Sequence, residues 1–322
     1  MRYRTLGRTG LNVSLLGLGS GGASRLGQRY KLPASESEGL VRHALDAGVN
    51  FIDTAPGYGH SEALLGQALV GVPREQYVLC TKFQPNAPDQ QLHSAAHLRT
   101  SLENSLRALR TDVVDVFYLH GVSPEMYSGV CERFLPELTR AREAGLIRHI
   151  GVTERYQTDH EHAMLRTAIE AGAFDVVMVG FNLLSPAAVT SILPLAAERG
   201  VGVVVMCAVR SVLVNPMEVE AYVREWQSEG LLKPGVVQTD AALDWLLDEH
   251  TPTVAAAAYK FAAAHAAVGS VLTGTATVDH FEANRQAILG RPLPVEKVQR
   301  VVDVFGPVQR NVQPARTRGQ VS

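Results

Sequence analysis

The sequence predicts an α/β fold, a single closed (β/α)8 TIM barrel with an N-terminal β-hairpin plug. Three observations predict it. Eight short runs rich in β-branched residues recur along the 322 residues, separated by stretches of helical pattern. Glycines stop several helical stretches immediately before the next run. No G-x-G-x-x-G fingerprint opens the first helix, as an open dinucleotide-binding sheet would require. Strict alternation of strand and helix implies parallel strands with right-handed crossovers, and eight repeats favour closure into a barrel.

Taken in order, residues 1–14 read as a hairpin cap with a turn near Thr9-Gly10, placed to plug the bottom of the barrel. Residues 15–290 form the barrel and 291–322 a C-terminal tail, so that 1–322 is one domain. The strands are Leu15–Gly19, Val49–Asp53, Tyr77–Lys82, Val113–His120, Ile147–Thr153, Val176–Phe181, Val201–Cys207 and Ser270–Gly274. Glycines 17, 19, 21 and 22 lie at and just beyond the end of the first strand, but Arg25 and Gly27 follow and the first helix opens only at Ser35, so this run does not open a helix as a dinucleotide fingerprint does. A helix opens at Ser35, with Glu38 placed for a capping box, and stops at Gly48. Helices over Leu98–Leu109, Cys131–Ala144 and Ala187–Arg199 follow the same grammar, the last two ending at Gly145 and Gly200. Residues 208–236 form a long connection with a polar helix around Glu218–Glu229, either a lid or a passive insertion.

Composition excludes several classes. A hydrophobic fraction of 46% and a charged fraction of 19% describe a chain able to bury a large core. A net charge of −2 gives no steering toward nucleic acid or an anionic membrane. Cys80, Cys131 and Cys207 form no metal-type or redox spacing, so no metal is expected and a reducing compartment is. The opening MRYRTLGRTGLNVS is too polar for a signal peptide, and the apolar run Val201–Val209 is too short to span a bilayer. The expectation is a cytoplasmic protein, monomeric or homo-oligomeric, with Arg310 to Arg318 as a solvated tail.

The chemistry lies at the C-terminal ends of the strands, where barrels of this kind carry their sites. The second strand ends at Asp53, with Tyr58 five residues on; the third ends at Lys82 and the fourth at His120. Reducing a carbonyl requires a proton for the oxygen as hydride reaches the carbon. A free phenol holds its proton up to a pKa of about 10. An ammonium beside it favours the phenolate, so Lys82 is expected to lower Tyr58, with Asp53 holding Lys82 charged. His120 is placed to donate to the substrate oxygen or to relay a proton. Each residue alone admits a plainer role: Asp53 as a helix cap, Tyr58 as packing in a glycine turn, Lys82 as a surface amine, His120 as a hydrogen-bonded structural residue. His43, His60, His93 and His97 are read as structural. The convergence of four groups carries the reading.

The segment Phe51-Ile-Asp-Thr-Ala-Pro-Gly-Tyr-Gly-His-Ser-Glu-Ala-Leu-Leu-Gly66 resembles the aldo-keto reductase signature. Leu79–Lys82, Asp112–His120, Ile147–Thr153 and the opening Leu6–Gly19 agree with it in order, and the resemblance spans about residues 3 to 290. The chain is similar to bacterial members and to the sugar and sugar-lactone dehydrogenase branch. The resemblance implies a tetrad of Asp53, Tyr58, Lys82 and His120. It also implies a nicotinamide dinucleotide bound without an open dinucleotide sheet, and a small-molecule carbonyl or sugar substrate.

It further implies cofactor positions. Thr153 and Glu154 stand where the family often has Ser-Asn for the nicotinamide amide, Met178 where it has Gln, and Met206 where an aromatic ring stacks on the nicotinamide. The plainer reading makes both methionines core. Cys207, Arg210 and Ser211 lie in the loop expected to meet the pyrophosphate. Gly274 and Thr275 follow the last strand, and Thr277 and Asp279 open a helix toward an anion. NADP(H) is the commoner family cofactor, yet the Lys near Gly274 and the Arg near His280 that grip a 2′-phosphate are missing, leaving NAD(H) open; Asn284 matches the adenine contact. The leading expectation is therefore an NAD(P)-dependent oxidoreductase acting on an aldehyde, ketone or sugar. The alternatives are a cofactor-binding regulatory or sensor subunit with little turnover, and an unrelated barrel using Lys82 as a Schiff-base nucleophile. Loops 20–34, 84–92, 121–130 and 208–236 are expected to set the substrate.

Overall fold

In a computed structural model describing residues 1–312, a two-stranded antiparallel sheet precedes a closed barrel of eight parallel strands. The hairpin pairs β1 (Tyr3–Thr5) with β2 (Asn12–Ser14). The barrel strands are β3 (Leu16–Gly19), β4 (Phe51–Asp53), β5 (Val78–Phe83), β6 (Val114–Val122), β7 (Ile147–Glu154), β8 (Val176–Gly180), β9 (Gly202–Met206) and β10 (Val268–Thr273), with β10 closing on β3. All eight coincide with the predicted runs to within a few residues at each end.

The helices are α1 (Ala34–Asp46), α2 (Ser61–Ala68), α3 (Ala95–Leu109), α4 (Tyr127–Glu143), α5 (Ala163–Ala171), α6 (Ala188–Ser191), α7 (Leu193–Arg199), α8 (Pro216–Ser228), α9 (Val254–Ala263), α10 (Val278–Leu289) and α11 (Val295–Phe305). Gly48, just past the end of α1, takes φ +89°, the left-handed conformation that glycine adopts without steric penalty. Three sequence expectations are corrected. The capping box at Ser35 does not form: the helix starts at Ala34 directly after Pro33, which leaves Ser35 inside the first turn. The predicted helix Ala187–Arg199 is two helices, α6 and α7, broken at Ile192 because Pro194 has no N–H to continue the ladder. The segment after residue 290 is not simply a tail: α11 buries Val301 and Phe305 against the barrel's helical layer. Residues 313–322, the end of the expected solvated tail, lie outside the described residues.

Two buried clusters show how strand alternation builds the barrel. Phe51, Val78, Cys80, Val116, Tyr118, Val176, Met178 and Val204 fill the interior. Their neighbours Ile52, Leu79, Phe117, Leu119, Val177, Val179, Val203 and Val205 pack outward in the larger cluster that includes the helices. Successive side chains on a strand point to opposite faces. The same parity sends Asp53, Lys82 and His120 into the lumen, each two residues beyond an interior position. At the other end Leu6 and Val13 of the hairpin region join the interior cluster. Leu6 is fully buried over Gly202, where an added Cβ would stand 2.7 Å from its Cγ. Burying that side chain contributes roughly 1.5–3 kcal/mol.

The connection 208–236 is a docked insertion. α8 buries Val219, Tyr222, Val223 and Trp226, and the Trp226 ring meets Phe305 of α11 at a centroid distance of 6.5 Å. Among the described residues, no helix is long and apolar enough to cross a membrane.

Candidate active site

β4 and β5 bring Asp53 and Lys82 together at the upper end of the lumen. Lys82 Nζ donates to both carboxylate oxygens of Asp53 at 2.6 Å and to the Thr54 carbonyl at 2.7 Å. Both side chains are buried. Burial pulls the Lys82 ammonium down, but the Asp53 charge and hydrogen bonds outweigh it, and its pKa is raised. An ammonium with three strong acceptors and a raised pKa is no free amine, which removes the Schiff-base reading.

Tyr58 sits on a single 3-10 turn, Pro56–Tyr58, that follows β4. Its ring lies 5.0 Å from Lys82 Nζ and 6.0 Å from the His120 ring, which meets it edge-on at 87°. The turn is held from outside. The Gln28 amide donates to the Tyr58 carbonyl at 3.3 Å, to Ser61 Oγ at 2.8 Å and to the Arg25 carbonyl at 2.9 Å, while Gln28 Oε1 accepts from His60 N–H at 2.8 Å. Gly21 backs the phenol: a Cβ there would stand 2.6 Å from Tyr58 Cε2. Sequence reasoning missed Gln28 and Gly21. Gly21 was visible as part of a glycine cluster, but only as a failed dinucleotide motif.

The electrostatics correct one expectation. Burial raises the Tyr58 pKa, Lys82 lowers it and Asp53 raises it again, and the net direction is upward. The phenol therefore keeps its proton at neutral pH. Burial, aided by the Lys82 charge, lowers His120 to about 3, so the imidazole is neutral. A neutral ring offers one N–H donor and no imidazolium proton.

Beside these groups opens a cleft of about 560 Å³. Tyr58, Lys82 and His120 line it together with Gly22, Arg25, Phe83, Gln84, His93, His97 and Ser101. His93 and His97, read from sequence as structural, form a parallel pair with ring centroids 4.1 Å apart on the cleft wall. Of the four loops expected to set the substrate, 20–34 and 84–92 contribute lining residues; 121–130 and 208–236 do not.

The expected cofactor positions divide. Glu154 has the outward parity of Ile150 and Val152, and its carboxylate accepts from Gly180 N–H at 2.7 Å and meets His162 Nδ1 at 2.7 Å. It is buried in a strap between β7, β8 and the start of α5, and so cannot replace an amide facing the lumen. Thr153 points inward, where its hydroxyl accepts from Gly121 N–H at 2.7 Å and fixes the residue after His120. Met178 belongs to the interior core, and Met206 packs half-buried against it. Thr275 is buried and closed into a turn with Thr277.

The remaining positions stay available. Arg210 lies over the Tyr156 ring at 5.7 Å, reaches Cys207 Sγ at 3.4 Å, and keeps a buried Nε with no partner. Ser211, Gly274 and His280 are exposed, and Asn284 is half-buried on α10. Thr277 caps α10 by accepting from His280 N–H, which leaves the earlier N–H groups of that helix without intrahelical partners. Tyr156, fully buried under Gly180 and bonded through its hydroxyl to Asn182 at 3.0 Å, was not picked out from sequence. Among the described residues no group of three or more His, Cys, Asp or Glu is placed to hold a metal.

Glu154→Ala separates the strap from a cofactor role. It leaves His162 buried and unpaired, and is expected to lower unfolding free energy by about 3–5 kcal/mol with little change in cofactor affinity. Urea unfolding and fluorescence titration check the two halves of that expectation.

Comparison with known proteins agrees with this arrangement. Residues 16–304 match the model of the aldo/keto reductase family. The chain is 28% identical over 295 residues to L-galactose dehydrogenase of Arabidopsis thaliana, covering 89% of this chain and 88% of that one. It is 29% identical over 261 residues to the NADH-specific methylglyoxal reductase of Escherichia coli, covering 72% and 77%. In fold it is similar to the holo form of aldo-keto reductase AKR11C1 from Bacillus halodurans, with a TM-score of 0.72, 23% identity, and 94% and 96% coverage. With its closed barrel, its hairpin and its four converging polar side chains, the chain belongs to the aldo/keto reductase family and is a nicotinamide-dependent oxidoreductase.

Proposed function

We propose that this enzyme interconverts the carbonyl and alcohol of a small polar aldehyde, ketone or sugar, with NADH preferred over NADPH and Tyr58 as the proton-transfer residue. The observation that carries the reading is the convergence of Tyr58, Lys82 and His120 at one end of the cleft, with Asp53 buried behind Lys82 and paired to it. A bound reduced nicotinamide supplies the hydride. Tyr58, protonated at neutral pH, gives its proton to the carbonyl oxygen as charge develops there. Lys82 faces the phenol ring at 5.0 Å and stabilises the phenolate left behind. Asp53 keeps that ammonium charged and fixed. Neutral His120 donates a hydrogen bond to the same oxygen and orients the carbonyl. In the alcohol direction the same groups run in reverse.

The residues around the loops after β9 and β10 fit a dinucleotide. Ser24 Oγ and Arg210 Nε are buried polar atoms without partners, and Ser24 Oγ lies 3.9 Å from a Cβ placed on Gly274. The free N–H groups at the start of α10 suit a phosphate. Arg210, Ser211, Gly274 and Asn284 would hold the group along this path. Arg285, beside Asn284, does not supply a free cation for a 2′-phosphate: Glu282 accepts from it at 2.8 Å and also meets His43 at 2.8 Å. The NADH-specific relative from Escherichia coli supports the same preference.

Purified protein mixed with NADH or NADPH and a panel of carbonyls tests both parts through nicotinamide absorbance. The expected kcat/KM for NADH exceeds that for NADPH by at least about tenfold, the loss from one unpaired charged contact. An equal or reversed ratio removes the cofactor preference. Tight cofactor binding with no turnover across the panel would instead favour a sensor subunit.

A further inference from the structure

We infer that the substrate carries an anionic group, carboxylate or phosphate, and that Arg25 recognises it; this rests on the carbonyl-reducing reading above and deepens it. Arg25 lines the catalytic cleft with Tyr58, Lys82 and His120. It also lines the adjoining hollow of about 430 Å³ with Gln28, Arg29, Leu32 and His60. No Asp or Glu lines either space. Lys82 is already neutralised by Asp53 at 2.6 Å. The Arg25 guanidinium, by contrast, has no hydrogen-bond acceptor and no carboxylate partner among the described residues, although the residue is half-buried. A half-buried cation left unpaired beside a catalytic phenol is a binding site for an anion.

The backbone holds it there. Arg25 and Leu26 take φ of +45° and +52°, a left-handed stretch uncommon for such residues. The Gln28 amide joins the Arg25 carbonyl to the Tyr58 carbonyl, and Arg25 Nη1 stands 3.9 Å from a Cβ placed on Gly59, the residue after Tyr58. The backbone of Arg25 is thus tied to the Tyr58 turn, and its guanidinium reaches the residue next to the phenol. None of the expected cofactor residues lines this cleft, whereas Phe83, Gln84, His93, His97 and Ser101 do, so Arg25 faces the substrate side. Burial, ahead of the neighbouring His97, lowers His93, which leaves Arg25 as the permanent free charge of the cleft. The carbonyl carbon sits at Tyr58 and the anionic end reaches back to Arg25.

Two matched pairs of aldehydes test this: succinic semialdehyde against butanal, and glyceraldehyde 3-phosphate against glyceraldehyde. In the wild-type enzyme kcat/KM for the anionic member of at least one pair exceeds that for the neutral member by at least about tenfold, mostly through KM. Arg25→Gln lowers that ratio by about 10- to 100-fold, and Arg25→Lys restores part of it. The pair that responds identifies carboxylate or phosphate. Ratios unchanged by Arg25→Gln in both pairs overturn the inference. Calorimetric titration gives a readout without turnover, using the alcohols 4-hydroxybutyrate, butanol, glycerol 3-phosphate and glycerol. An Arg25-dependent preference for an anionic alcohol with no turnover of any aldehyde leaves the anion site standing and sinks the reductase reading; turnover without charge preference does the opposite.

Discussion

Replacing Tyr58 with Phe is expected to lower kcat for carbonyl reduction by about 10²- to 10⁴-fold, the usual contribution of a positioned proton donor, with cofactor affinity and unfolding free energy nearly unchanged. Removing one hydroxyl from a half-buried ring leaves Lys82 its three acceptors, both Asp53 oxygens and the Thr54 carbonyl. The pH profile adds a second check. Burial, ahead of the opposing Lys82 charge, raises the phenol above its ordinary value, and His120 is held at about 3. On the proposed mechanism reduction uses the protonated phenol, which persists until pH rises through that raised pKa. Above about pH 3 the imidazole does not gain a proton. The wild-type kcat/KM for reduction is therefore expected to be flat from about pH 5 to 9. An acid limb near pH 6–7 would show His120 acting as a cation, and full turnover by Tyr58→Phe would displace the phenol from its role.

Lys82→Met carries the second large effect. The substitution keeps most of the side-chain volume but strands the Asp53 carboxylate in a site where it is 2% exposed. Breaking a buried pair from one side costs about 3–5 kcal/mol. The variant is expected to lose that much in urea unfolding at an unchanged slope, along with its reductase activity. The double variant Asp53→Leu, Lys82→Met is expected to recover much of the stability and none of the rate, since the two residues share one interaction. A stable, inactive Lys82→Met would mean that Asp53 is protonated and that the ammonium matters to chemistry alone.

Much of the fold was readable because a parallel barrel announces itself locally. Each strand is a short β-branched run, and each helix carries its own periodicity and stop. The three upper-lumen groups followed from the same alternation, since Asp53, Lys82 and His120 all lie at or within two residues of a strand end on the inward parity. Glu154 shows the cost of ignoring that parity. Counting from Ile150 and Val152 sends it outward, to a partner eight residues later that no spacing rule selects. Gln28 and Arg25 were illegible for a different reason. Their importance comes from contacts across the mouth with the Tyr58 turn, some thirty positions away in the chain for Gln28, and from a left-handed backbone that no residue type there demands. The direction of the Tyr58 shift was also beyond sequence: attraction to Lys82 was foreseeable, but the larger effect of desolvation depends on how deeply the ring is covered. The break at Pro194 and the missing cap at Ser35 were local matters, and both trace to a neighbouring proline.

Leu6 has a consequence for how this molecule can vary. Glycines at 202 and 269 leave a hollow that the leucine fills, an added Cβ at either standing 2.7 Å from its side chain. The vessel is therefore blind at its base, and solutes enter and leave by the same doorway. Changes at the rim can then retune which molecules are admitted without loosening the floor, and changes at the floor threaten cohesion while leaving the choice of guest alone. Substitutions of Leu6 should accordingly alter thermal endurance in parallel for every substrate tested, whereas rim substitutions should reorder substrates at constant endurance.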